Sequence, residues 1–152
     1  MSTPAEERVW WDDNAGPDQT PRAETIECLK ALESVLPATG WVLDLGCGQG
    51  RLAKPIIARF PQLRILGLDI SRRMLDGTSE TRDGGQVGPA GMRLVHGNGR
   101  TIPRPEFYFA AGFSVGLFQH LDGDAVQSYL GEVERTLQWG ARFRFQYVDG
   151  LD

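Results

Sequence analysis

The chain of 152 residues carries 16 basic and 20 acidic side chains, a formal net charge of −4, and a pI of about 5.2. With 41% hydrophobic and 24% charged residues it has the make-up of one globular domain, long enough to bury roughly 70% of its unfolded surface, not of a disordered or fibrous chain. The acidic balance argues against non-specific attraction to nucleic acid or anionic membranes, and no apolar run approaches the roughly 18 residues of a membrane span.

Met1 to Glu7 is polar and acidic, unlike a signal peptide. Residues 1–19 show no periodicity and end in the breaker cluster Asn14-Ala15-Gly16-Pro17, which reads as an irregular arm. Its Trp10-Trp11 pair is a candidate to cover a ligand or to pack the arm on the domain. The domain itself is expected over residues 20–152. Thr20-Pro21 has the form of a cap followed by proline in the first helical turn, and Ile26, Leu29, Leu32 and Leu36 follow at helical spacing until Pro37 and Gly40. Trp41 to Leu45 is a short apolar run, expected as a buried strand. Arg51 to Phe60 reads as a helix weakened by Pro55, and Arg64 to Asp69 as a second buried strand. Ser71 stands where it can cap a helix bearing Met74 and Leu75.

Asp83 to Gly91 holds four glycines and a proline and is expected as a loop. Met92 to His96 and Phe107 to Val115 read as the third and fourth strands. Asp122 to Leu137 is the clearest helix, with Val126, Tyr129, Leu130, Val133 and Leu137 on one face. Gly140 is expected to end it, and Ala141 to Tyr147 to form a fifth strand. Strand and helix alternate throughout. The fold class expected is therefore α/β: a doubly wound, Rossmann-like, mostly parallel sheet of five strands in the order 3-2-1-4-5, with helices on both faces.

Cys28 and Cys47 are too few for a disulfide framework and have no zinc-ligand spacing, so no metal and a reducing, cytoplasmic setting are expected. The informative stretch is Asp44-Leu45-Gly46-Cys47-Gly48-Gln49-Gly50, where a buried strand turns into a helix. Glycines there let the backbone bend sharply and let a ligand approach it closely. Asp69 ends the next strand, 19 residues after Gly50, where an acid can bind both hydroxyls of a ribose. The dinucleotide fingerprint G-x-G-x-x-G is not met: from Gly46 the third glycine falls at Arg51, and the register from Gly48 fails as well. No GxxxxGK[ST] loop is present either. A nicotinamide-dependent oxidoreductase is disfavoured on that spacing.

Val42 to Gly50, together with Leu66-Gly67-Leu68-Asp69-Ile70-Ser71, resembles the first two motifs of the class I S-adenosylmethionine-dependent methyltransferases. Phe113 to Leu121 is similar to the fourth-strand segment of that family's small-molecule members, and Tyr129 to Tyr147 to the stretch ending in strand five. The resemblance implies S-adenosylmethionine as cofactor and a small molecule as methyl acceptor. It implies that Asp44, Gly46, Gly48 and Gly50 shape the pocket for the methionine part, with Cys47 contributing its backbone to the turn. It assigns the ribose to Asp69, packing on the adenine to Ile70, reading of the adenine amino group to Asn98, where the family usually has an acid, and a place beside the cofactor to Ser114.

His120, after strand four, is the general-base candidate. His96 reads as structural, and Asp122 and Asp124 as caps of the last helix. Ala110 and Gln138-Trp139-Gly140-Ala141 depart from the family's common residues, and strands six and seven of the family are expected to be absent. Those departures motivate a second reading: a binding module of the same fold, acting as partner or regulator without catalysis. An uncovered fifth strand would also offer an edge for a homodimer.

Overall fold

The computed structural model describes residues 3–13, 23–78, 80–82, 85–87 and 91–147. Among them, five α-helices and seven strands run in the order α1 (Pro4–Asp13), α2 (Ala23–Glu33), β1 (Gly40–Leu45), α3 (Ala53–Arg59), β2 (Leu63–Asp69), α4 (Arg72–Thr78), β3 (Glu80–Arg82), β4 (Gly85–Val87), β5 (Met92–His96), β6 (Phe109–Ser114), α5 (Gly123–Thr136) and β7 (Leu137–Phe145).

The main sheet has the order β5-β2-β1-β6-β7, with every neighbour parallel. That is the expected 3-2-1-4-5 order. Because β1 is central, its residues are buried on both faces, which is why Trp41 to Leu45 reads as a continuous apolar run. Val42 faces one way, with Ile65, Met92, Ala111 and Phe113, against Leu32 of α2, Ala53 and Ile56 of α3 and Leu75 of α4. Leu43 and Leu45 face the other way, with Leu66, Leu68 and Phe109, against Tyr129 and Val133 of α5. Two apolar layers on a parallel sheet account for the bulk of the driving force for folding.

Local signals hold at several boundaries. Ser71 caps α4, its hydroxyl accepting from the Met74 amide at 3.1 Å. Asp122 caps α5 by accepting from the Ala125 amide at 2.9 Å. Pro55 stands in the first turn of α3, where proline is tolerated. His96 is structural: Nε2 bonds the Ile70 carbonyl at 2.9 Å and Nδ1 lies 3.2 Å from the Arg72 guanidinium.

Four expectations need correction. The arm is not irregular over its first half, because Pro4–Asp13 form α1. This helix docks through polar clasps, the Asp12 carboxylate accepting from the Ser71 hydroxyl and the Arg73 amide, so no apolar stripe betrays it. Ile26 is 51% exposed and Thr25 is buried in its place, so the inward face of α2 is rotated from the one its leucines suggest. Within the glycine-rich stretch, Gly85–Val87 pairs antiparallel with Glu80–Arg82. Finally, Gly140 does not end α5. The helix stops at Thr136, and the chain runs straight into β7, with Gly140 inside the strand at φ 76°. An irregularity opposite Phe109 and Ala111 absorbs the extra residues. Thr20-Pro21 and residues 14–19 lie outside the described residues, as do the Trp10 and Trp11 side chains.

β7 is an edge of the sheet and pairs only with β6 among the described residues. Trp139 is 88% exposed and stacks on exposed Phe107 at 5.6 Å. No helix among the described residues is long and apolar enough to cross a membrane.

Candidate functional site

The cleft lies where a doubly wound sheet places one, outside the carboxyl ends of β1, β2 and β6, beside the reversal of strand order. Its cavity volume is about 240 Å³, a little below the range of about 300–1,000 Å³ of small-molecule sites. The turn after β1 forms the floor. Gly46, Gly48 and Gly50 have φ of 75°, 53° and 76°, so all three sit in the left-handed region that other residues enter only at a cost. The Leu68 carbonyl accepts from the Gly46 amide at 2.7 Å and the Cys47 amide at 3.2 Å, which ties the turn to the end of β2.

Asp69 completes that tie. Its two carboxylate oxygens accept from the Gly48 amide and the Ser71 amide, each at 2.8 Å. A carboxylate oxygen has two lone pairs, so each keeps capacity for one more donor. Burial raises the Asp69 pKa, and the Ser71 and Gly48 amides and His96 oppose the rise. Asp44, at the end of β1, is 3% exposed, lines the cleft, and has no hydrogen-bond partner among the described residues. Burial, then the neighbouring charge of Asp69, pushes its carboxyl up to about 8. A buried carboxylate without a donor is costly, and the donor it lacks can come only from the cleft.

Of the other expected site residues, Ile70 and Cys47 line the cleft. The Cys47 thiol is buried against Gly67, and burial, Asp44 and Asp69 all raise its pKa, so it stays a neutral wall and not a nucleophile. Gly50 sits at the turn into α3 and closes it by donating to the Cys47 carbonyl at 2.9 Å.

Gly50 itself does not line the cleft, and neither do three other expected residues. Asn98 is exposed, its Oδ1 accepting from the Arg100 and Thr101 amides at 2.9 Å while Nδ2 donates to the Thr101 hydroxyl at 2.8 Å. Ser114 is fully buried and donates to the Leu45 carbonyl at 2.8 Å, pinning β6 to β1. His120 is exposed in a short 3₁₀ turn at residues 118–120, beside Leu121, which does line the cleft.

Sequence reasoning missed two polar wall residues. Tyr129 reads as part of the apolar stripe of α5, and it is 4% exposed, yet it lines the cleft and its hydroxyl makes no hydrogen bond with a described residue. Glu7 reaches the cleft from α1 and is 7% exposed. Nothing in an arm without periodicity signals that role.

The family model described as a methyltransferase domain matches residues 42–140. The trans-aconitate 2-methyltransferase of Methylobacterium nodulans is 31% identical over 117 residues, 77% of this chain and 42% of that protein. The malonyl-(acyl-carrier protein) O-methyltransferase of Methylococcus capsulatus is 30% identical over 117 residues, 77% of this chain and 40% of that protein. The chain therefore spans about two fifths of the length of these curated relatives. Among solved structures, geranyl diphosphate C-methyltransferase from Streptomyces coelicolor superposes with a TM-score of 0.67 at 16% identity, covering 94% of this chain and 63% of that one. That likeness is one of fold.

Proposed function

Because the chain belongs to the methyltransferase domain family, among the class I S-adenosylmethionine-dependent methyltransferases, we propose that it transfers a methyl group to a small-molecule acceptor in the cytoplasm. The observation that carries this reading is the pair of acids at the strand ends: Asp69 clamped to the Gly48 amide, and buried Asp44 without a donor. Bound S-adenosylmethionine supplies a methyl carbon made electrophilic by its positive sulfur.

The residues present fit that group. Backbone amides hold the Asp69 carboxylate in a fixed position at the cleft, suited to vicinal ribose hydroxyls. Asp44 with the glycine turn offers close backbone and an acid that a bound cation would help to ionise, both facing the cationic, amino-acid end. Glu7 and Asp69, joined by Asp44 once it has given up its proton, line the cleft against a single lining base, Arg51, a balance that favours a cation. Ile70 and Met74 give an apolar wall. What the protein does for the transfer is hold its two reactants in line and exclude water. His120, at the turn after β6, is the candidate for taking a proton from the acceptor.

Calorimetric titration with S-adenosylmethionine and S-adenosylhomocysteine tests the cofactor. A product assay with a panel of small acceptors, trans-aconitate and a malonyl thioester among them in view of the relatives' names, tests the reaction. Binding with methylated product is expected. Binding without product on any acceptor would favour the non-catalytic binding module. His120→Ala is expected to leave cofactor affinity within about 2-fold and to lower turnover by roughly 10²-fold or more, the usual scale of a lost general base.

The same reading includes a homodimer through the β7 edge, supported by the open strand and its exposed aromatics. Light scattering is expected to give twice the chain mass at high concentration, and Trp139→Glu to shift it to the monomer. A clean monomer for the parent would remove the dimer.

A further inference from the structure

The end of the cleft at Gly99, just after β5, is walled by Ile70 and Glu7, both within reach of an added Cβ there, and Tyr129 also lines the cleft. Glu7 is fixed there by its surroundings. Its Oε2 lies 3.3 Å from Arg100 Nη1, which also donates to the Gly99 carbonyl at 2.7 Å. The same carboxylate packs on Gly99, where an added Cβ would meet it at 3.4 Å. Farther along α1, Asp12 is clasped by Ser71 and the Arg73 amide. The helix is thus fastened to the two loops that frame this end of the cleft.

The polar side chain next to Gly99 in sequence, Asn98, spends its carbonyl oxygen on two backbone amides. That leaves Glu7 as the carboxylate at this end of the cleft, next to the apolar side chain of Ile70 at Gly99, with the Tyr129 phenol in the same lining. Such a setting suits a flat heteroaromatic ring that carries an amino group: the ring lies against Ile70, and the N–H donates to a fixed carboxylate.

We propose that Glu7 accepts a hydrogen bond from the exocyclic amino group of the cofactor's adenine, so that α1 supplies the base-reading acid of this site. The proposal rests on the cofactor reading above. It makes α1 part of the binding site and gives base specificity to a segment outside the sheet.

The test is a set of calorimetric titrations with S-adenosylhomocysteine and with its 6-deamino counterpart, which has hydrogen in place of the amino group. The parent is expected to prefer the amino-bearing ligand about 10- to 100-fold, the range for a hydrogen bond to a charged acceptor. Glu7→Ala is expected to bind both ligands with similar affinity. Asp12→Ala, which loosens α1 without touching the base, is expected to weaken both ligands by the same factor and keep the preference. A merely structural Glu7 would behave like Asp12. If Glu7→Ala retains the parent's preference, or the parent shows none, the assignment of Glu7 is overturned while the cofactor reading stands. If the parent binds neither ligand, the cofactor reading falls, and this inference with it.

Discussion

Thermal unfolding of Asp44→Asn is expected to lose most of the pH dependence that the parent shows between about pH 5.5 and about pH 9. The folded-state pKa of Asp44 is about 8, against 3.8 for the free side chain. Between those values the folded protein keeps a proton that the unfolded chain has released. Stability therefore falls as pH rises through this window, and it levels off above about 8, where both states are ionised. Each pH unit inside the window costs up to about 1.4 kcal/mol. From pH 5.5 to pH 8 the parent should lose about 3 kcal/mol from this residue, or roughly 5–10 °C in Tm for a chain of this size.

Asp69 is raised in the same direction and adds to the slope, whereas Glu132 and Asp12 are lowered by their hydrogen bonds and act only in more acid solution. At alkaline pH the variant should thus melt well above the parent, and below about pH 4, where Asp44 is protonated in both states, the two should nearly coincide. In exchange, replacing the carboxylate by an amide should weaken a cationic ligand about 5- to 30-fold. Parallel melting curves for parent and variant would show that Asp44 is ionised or solvated in the fold, and that it holds no buried proton there. A buried acid that lowers stability so that a site can hold a cation is a known form of trade between the two.

Much of this site is legible in the sequence because the turn after β1 leaves few choices of residue. Gly46, Gly48 and Gly50 each adopt a positive φ, and an even run of three glycines after an apolar strand has few other uses. Asp69 is legible because its place at the end of β2 fixes it one strand away from that turn. The sheet order follows from alternating elements and the handedness of parallel crossovers. The misses have a common physical source. Glu7, Asp12 and Arg100 act through single polar contacts between distant segments, and such contacts leave no period in the chain. Position alone suggests Asn98 for the adenine, but its own neighbours Arg100 and Thr101 offer backbone amides two and three residues on, and the side chain folds onto them. At Gln138-Trp139-Gly140 the glycine suggests a break, whereas the strand absorbs it as an irregularity next to β6.

The largest effect on binding is expected at Asp69. If its two oxygens each take a ribose hydroxyl in addition to the Gly48 and Ser71 amides, Asp69→Ala removes two hydrogen bonds to a charged acceptor, worth roughly 1.5–3 kcal/mol each before water takes their place. A net loss of about 2–4 kcal/mol follows, or roughly 30- to 1000-fold in cofactor affinity. The fold should survive with a smaller change, because two effects oppose each other. The Gly48 and Ser71 amides lose their acceptor, at a cost of about 1–3 kcal/mol. Against this, a carboxylate whose burial raises its pKa is gone, and with it the charge that helps to push Asp44 up.

Asp69→Asn should do worse for the fold than its size suggests, since its amide nitrogen must face the N–H of Gly48 or of Ser71. The decisive comparison sets Asp69→Ala beside His120→Ala, which stands outside the cleft wall, with calorimetry and thermal unfolding on both. A large loss of affinity in the first and none in the second is expected. If Asp69→Ala binds the cofactor as tightly as the parent, the ribose lies elsewhere. Asp69 is then only the clamp that holds the glycine turn against β2, and the methyltransferase reading of this cleft must rest on Asp44 and the turn alone.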